Sequence, residues 1–134
     1  MDVDWEKEKQ GFFQGSQPQK FAFACPPEFG GPGGFINPEE IFVAAIATCI
    51  MATFINVSKR RGIKVVSYKS HTEAIMEFED GHYRITKAYF KPEIVVSSQE
   101  EIEECRLVLQ DAESTCPIGK SITTKVIMEE RITA

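Results

Sequence analysis

No two of the four cysteines form a Cys-x-x-Cys pair, and His71 and His82 are the only histidines, so a zinc site has little to be built from. The chain also lacks a basic surplus. Its formal net charge of -5 argues against nucleic acid or an anionic membrane as a partner, since both reward a basic face. It opens Met1-Asp2-Val3-Asp4-Trp5, without the basic-then-apolar pattern of a secretion signal. A cytoplasmic, reducing setting is therefore expected, where paired thiols more often do chemistry than brace a fold. The Pro/Gly-rich stretch from Cys25 to Ile36 lacks the Gly-Lys-Ser/Thr ending of a phosphate cradle and any cation just after it, which speaks against a nucleotide site. No internal repeat, low-complexity tract or linker divides the 134 residues, so one domain is expected over 1–134. With 43% apolar and 26% charged residues it has an ordinary globular balance.

Three short strands are predicted near Val3–Trp5, Gly11–Phe13 and Phe21–Ala24. Asn37-Pro38-Glu39-Glu40 then starts a helix: Asn37 caps the first amides, Pro38 suits the first helical position, and two carboxylates meet the positive end of the dipole. Basic residues and a C-terminal glycine predict its end at Lys59-Arg60-Arg61-Gly62. Apolar side chains occupy all of its faces, so it is buried all round or spans a membrane. The run is about the minimum for a span, and Thr48, Thr53 and Asn56 interrupt it, which favours a buried helix. A domain of this size has little material to wrap a helix completely, so a subunit interface along it is expected.

After Gly62 the period becomes two. Val66, Tyr68, Ser70, Thr72, Ala74, Met76 and Phe78 share one face of a strand, Asp80-Gly81 is a hairpin turn, and Tyr83–Ser97 returns alongside. His71 lies on the polar face and His82 at the turn, both as solvated surface residues. Ser98-Gln99-Glu100-Glu101 has capping-box spacing before an amphipathic helix bearing Ile102, Cys105, Leu109 and Ala112. Cys105 is expected to pack in the core, and Cys25 to be incidental. Ser121–Ile132 alternates as a last strand.

Cys49 and Cys116 remain as candidates for chemistry. A thiol reacts as its thiolate, which a helix N-terminus or a cation favours. Cys116, in Ser114-Thr115-Cys116-Pro117-Ile118-Gly119-Lys120, has that setting: Ser114 or Thr115 can cap, Pro117 opens a short helix, and Lys120 is close in sequence. Cys49 lies mid-helix among aliphatic residues and needs positive charge from elsewhere. On local sequence alone Cys116 is the better nucleophile, and Cys49 is as readily a packing residue.

The segment Asn37-Pro38-Glu39-Glu40-Ile41-Phe42-Val43-Ala44-Ala45-Ile46-Ala47-Thr48-Cys49 closely resembles the central-helix motif of the OsmC/Ohr family of hydroperoxide reductases, and Cys116-Pro117-Ile118 resembles that family's second motif. The resemblance implies an α+β OsmC-like fold, with antiparallel sheets packed around a long buried central helix in an intertwined homodimer. It also implies a thiol-dependent peroxidase for organic hydroperoxides. Cys49 would become a sulfenic acid, Cys116 would close a disulfide onto it, and a small dithiol resembling dihydrolipoamide would reduce that disulfide. Glu39 matches the family's carboxylate that orients an activating arginine. Ten residues of helix rise about 15 Å, so Glu39 cannot touch Cys49 along one straight helix. It reaches a Cys49 across the dimer, or the helix bends, or it serves the helix dipole alone. No cofactor and no metal is implied.

One departure from the family stands out. The peroxidases carry an arginine in the N-terminal strands, and here no arginine precedes Arg60; Lys20 is the only cation between Lys9 and Lys59. Arg84 or Arg106 substitutes only if the fold brings it in. The alternative reading is a binding protein on the same fold that holds an apolar or thiol-reactive small molecule, with little or no peroxidase activity.

Overall fold

A computed structural model describes residues 1–134, which fall into two compact units, Met1–Phe42 and Val43–Ala134. The first unit is an antiparallel meander of β1 (Asp2–Lys7), β2 (Gln10–Gln14) and β3 (Lys20–Ala24), as the aromatic-rich sequence predicts. Its register aligns Val3 with Phe13 and Phe13 with Phe21, which puts all three on one face. The Phe13 and Phe21 rings stack with centroids 5.3 Å apart. The Pro/Gly stretch folds as a 3-10 turn (Pro27–Phe29) and returns to β3, where the Ala24 amide donates to the Ile36 carbonyl at 3.2 Å. A β-carbon at Gly31 would fall 1.9 Å from the Cys25 carbonyl oxygen, so that close approach admits only glycine.

Helix α1 spans Pro38–Arg61. Its start is a reciprocal capping box: the Glu40 amide donates to Asn37 Oδ1 at 2.8 Å, and the Asn37 amide donates to Glu40 Oε2 at 2.9 Å. Its end is Gly62, at φ +76°. Ile46, Ile50, Phe54, Val57 and Ser58 form its buried stripe, while Ala44, Thr48, Met51 and Ala52 are exposed. The chain by itself therefore covers one face of the helix. By length and composition α1 is also apolar enough to cross a membrane.

In the second unit, β4 (Val65–Glu79) and β5 (His82–Val96) form a long antiparallel hairpin closed at Asp80-Gly81, where both residues have positive φ (+51° and +83°). These values match the primed turn that suits strand twist. Ala88, Phe90, Pro92, Ile94 and Val96 are buried at alternate positions of β5. They share the core with Cys105, Val108, Leu109 and Ala112 of α2 (Glu101–Thr115), which packs against β5 and β7. Phe54 of α1 meets Tyr68 of β4 with ring centroids 5.8 Å apart. The Glu101 carboxylate accepts from the Ser98 amide, as in a capping box, but the Glu101 amide takes the Ser98 carbonyl instead of its hydroxyl. That carboxylate also binds the Lys64 amide at 3.0 Å, tying α2 to the start of β4.

The C-terminal part departs from the single strand expected. A four-residue helix, α3 (Pro117–Lys120), precedes β6 (Lys125–Met128) and β7 (Arg131–Thr133), and both strands pair parallel to β5. The break at Glu129 and Glu130 falls beside Lys91 and Pro92 of β5, and proline has no amide to donate to a ladder. The second sheet is thus mixed, and the fold is α+β.

Candidate functional site

Cys116 sits where two helices meet, and its backbone is held from both sides. Its amide donates to the Ala112 carbonyl at 3.0 Å, closing α2, and its carbonyl accepts from the Lys120 amide at 3.1 Å, opening α3. Its own sulfur caps α3, accepting from the Gly119 amide at 3.3 Å. Ser114 and Thr115 do not cap. Their hydroxyls donate back to the Asp111 carbonyl, at 3.0 and 2.6 Å. Pro117 takes the first helical position, as expected.

The Cys116 side chain is fully buried, and the Cys49 side chain lies within hydrogen-bonding reach of its sulfur. The fold thus brings together two thiols that are far apart in sequence, one from mid-α1 and one from the α2–α3 junction. They differ in access, for Cys49 is half-buried beside the covered stripe of α1 whereas Cys116 has no exposed surface. Burial pushes the Cys116 thiol above its ordinary range. The Gly119 amide opposes that rise, while Cys49 and the Glu113 carboxylate add to it. The helix-terminus reading, which made Cys116 the better nucleophile, is therefore corrected: desolvation outweighs one amide and leaves Cys116 a protonated thiol at neutral pH. Sequence reasoning noted neither Gly119 nor Glu113 as a neighbour of this sulfur. Both lie three residues from Cys116, one on each of the helices that meet there, and that spacing was the available signal.

No lysine or arginine is among the groups acting on Cys116. Arg84 binds Glu79 at 2.8 Å and Thr123 at 3.0 Å, and Arg106 binds Glu130 at 3.2 Å and also Glu103. Both arginines considered as substitutes are thus committed to neighbours on the surface of the second unit. Lys20 lies 3.4 Å from Asp4, in an exposed pair. His71 pairs with Glu73 at 3.3 Å and His82 turns to the Asp80 carbonyl, both exposed as predicted. Cys105 is buried in the α2 core, and burial raises its thiol to about 11, as suits a packing residue. No group of three or more His, Cys, Asp or Glu side chains is placed to hold a metal ion.

The two carboxylates of the Asn-Pro-Glu-Glu segment part company. Glu40 is used in the capping box, whereas Glu39 Oε2 is buried with no hydrogen-bond partner. A buried acceptor left unmade costs about 1–3 kcal/mol, so Glu39 is the carboxylate held in an expensive state.

Comparison with known proteins agrees with this architecture. A solved OsmC-like protein from Vibrio cholerae superposes with a TM-score of 0.87 at 22% identity, covering 96% of each chain. An organic hydroperoxide resistance protein OsmC from Legionella pneumophila superposes at 0.72 with 19% identity, covering 99% of this chain and 96% of that one. At these identities the likeness is one of fold. In sequence, the chain is 27% identical over 111 residues to the uncharacterized protein YmaD of Bacillus subtilis, covering 81% of this chain and 74% of that protein. The family model described as OsmC-like protein matches residues 31–131, a stretch that holds the capped central helix together with Cys49 and Cys116, and the chain belongs to that family.

Proposed function

We propose that this protein is a thiol-dependent peroxidase that reduces organic hydroperoxides through Cys49 and Cys116. The observation that carries the reading is the meeting of two thiols of unequal burial, one half-buried and one fully enclosed beside it. The Cys49 thiolate attacks the peroxide, breaking the O–O bond, which gives a Cys49 sulfenic acid and an alcohol. The Cys116 thiol then condenses with it, forming the S–S bond and releasing water. An incoming dithiol reduces the disulfide by exchange and is itself oxidised to a disulfide. The enclosed sulfur suits the second step, because it stays shielded from peroxide until its partner is oxidised. Organic hydroperoxide resistance proteins among the structural relatives lend the reading support.

The functional unit in this reading is a homodimer of single-domain chains, with Glu39 serving the thiolate site. A second copy would cover the α1 residues that the chain itself leaves exposed, Ala44, Thr48, Met51 and Ala52. The buried stripe of α1 belongs to the protein's own core, which favours a covered helix over a membrane span and fits a cytoplasmic protein. Neither nucleic acid nor a membrane is a partner in it.

One observation favours the second reading, a binding protein on the same fold with little peroxidase activity: Arg84 and Arg106, the arginines that could replace the missing one, are committed to Glu79 and Thr123 and to Glu130 and Glu103. Mass spectrometry of the reduced protein after one equivalent of cumene hydroperoxide separates the two. The peroxidase reading expects a rapid Cys49–Cys116 disulfide, formed less readily with hydrogen peroxide. Free thiols after minutes would reject it in favour of the binding protein.

A further inference from the structure

We propose that Gly119 is a positioning residue for the redox step: its amide and its missing β-carbon together hold Cys116 Sγ in the orientation that faces Cys49. The inference rests on the two-thiol reading above. Gly119 does not adopt the positive φ that distinguishes Gly30, Gly33, Gly34, Gly62 and Gly81. Alanine would be the better helix former at such a position, so what glycine supplies here is space. A β-carbon at 119 would lie 3.0 Å from Cys116 Sγ and 3.5 Å from the Glu113 carbonyl oxygen. It would be confined between the sulfur on one side and the last turns of α2 on the other.

The sulfur is the part that must give. Cys116 is fixed through its backbone at both ends, to Ala112 and to Lys120, so an intruding β-carbon is relieved mainly by turning the side chain. The Sγ has no exposed surface into which to retreat. Turning it by a few tenths of an ångström or more also takes it away from the Gly119 amide, now at 3.3 Å. That amide is the one neighbour that favours the Cys116 thiolate against burial. Both changes act on disulfide closure: the two sulfurs lose alignment, and the resolving thiol becomes harder to ionise.

The test compares the full-length protein with Gly119→Ala during oxidation by diamide, which takes up two electrons and two protons as a dithiol becomes a disulfide. Closure of Cys49–Cys116 is read by peptide mass spectrometry across pH. The expected result is closure slowed by about tenfold or more, as misplacement of reacting atoms costs, with the pH profile moved upward. With cumene hydroperoxide, Cys49 sulfenic acid trapped by dimedone should accumulate while the rate of its formation stays unchanged. Ser121→Ala serves as the control, since it removes the Ser121 hydroxyl's 2.8 Å bond to the Pro117 carbonyl and so loosens α3 without touching the sulfur. It should close at the wild-type rate.

Closure of Gly119→Ala within twofold of wild type, with an unmoved pH profile, overturns the proposal, and so does an equal slowing in Ser121→Ala. If the wild type closes with diamide but not with the hydroperoxide, the peroxidase reading fails while the diamide comparison still decides the role of Gly119. If wild type closes with neither, both fall.

Discussion

Glu39 and Glu40 are adjacent, carry the same charge and sit in the same helical turn, yet the structure gives them different work. Glu40 accepts the Asn37 amide at 2.9 Å at the exposed start of α1. Glu40→Ala removes that acceptor but keeps the amide at 40 on Asn37 Oδ1, so half of the capping box survives. The loss of one such bond is about 0.5–1.5 kcal/mol, or about 2–5 °C in melting temperature for a domain of this size. Glu39 Oε2 has no partner to lose. Glu39→Gln keeps the shape and removes the charge, and Glu39→Met removes the buried unsatisfied oxygen altogether. Both variants give up the carboxylate's place at the positive end of α1, about 0.3–1 kcal/mol, which relief of the buried unsatisfied oxygen offsets in Glu39→Met, so neither should shift stability by more than about 1 kcal/mol. Activity should behave in the opposite way. Turnover of cumene hydroperoxide with a dithiol reductant should fall between about 10- and 100-fold in both Glu39 variants if this carboxylate orients the reacting groups. Glu40→Ala should keep wild-type kcat/KM. Urea unfolding and steady-state kinetics on the same three variants decide it. Full activity in Glu39→Gln, or an activity loss in Glu40→Ala with an unmoved urea midpoint, would refute the division of labour.

Two further outcomes follow from groups outside the site. Burial holds the Cys105 thiol at about 11, above an ordinary value of 9.0, so the folded chain keeps a proton that the unfolded chain releases. Stability is then complete below pH 9 and falls between about pH 9 and 11; Cys105→Ala should flatten that decline in urea midpoints measured across the range, apart from a pH-independent loss of packing. Glu101 runs the other way. The Lys64 amide first, and then the Ser97 hydroxyl, hold its carboxyl below the ordinary 4.5. Its contribution is present above that value and is lost as the pH falls below it, so Glu101→Gln should lower the urea midpoint at pH 7 and weaken its dependence on acid. An unchanged acid limb would place the linkage between α2 and β4 elsewhere.

The elements that were legible in the sequence are those set by local rules. Asn37-Pro38-Glu39-Glu40 contains its own cap and Asp80-Gly81 its own turn. The last strand reads as one in sequence and is two in the fold, because alternation through Val126, Met128 and Ile132 carries no sign of which neighbour pairs with it. The interruption at Glu129 and Glu130 is visible only beside Lys91 and Pro92 of β5. Similarly, the sequence around Cys116 displays the helix start that would favour a thiolate but not the enclosure that opposes it. Enclosure depends on residues distant in the chain, Cys49 among them. Gly119 is silent for a related reason: a glycine kept for the space beside a sulfur leaves no mark in propensity or turn chemistry.

That correction strengthens the two-thiol reading. If Cys116 were both the more acidic and the more accessible sulfur, peroxide would reach the resolving thiol as easily as the attacking one, and the order of steps would be undefined. Instead the sulfur with the raised proton affinity is also the one without exposed surface. In the proposed mechanism it would stay a thiol until an oxidised neighbour appears, with condensation then the reaction open to it. Cys49 is half-buried whereas Cys116 has no exposed surface, and the proposed mechanism makes Cys49 the sulfur that meets the peroxide. In the proposed mechanism the same asymmetry sets the return path: the reductant would attack Cys49, the less buried sulfur, with Cys116 as the leaving thiol. Its high proton affinity makes it a slow leaving group. A single thiol bound to Cys49 would be expelled again by the Cys116 held beside it, whereas a dithiol can complete the exchange with its second sulfur. The proposed mechanism therefore calls for a dithiol reductant, and turnover should be markedly faster with dithiothreitol than with 2-mercaptoethanol at equal thiol concentration. Equal rates with the two would show that Cys116 is not held against Cys49 after the first exchange.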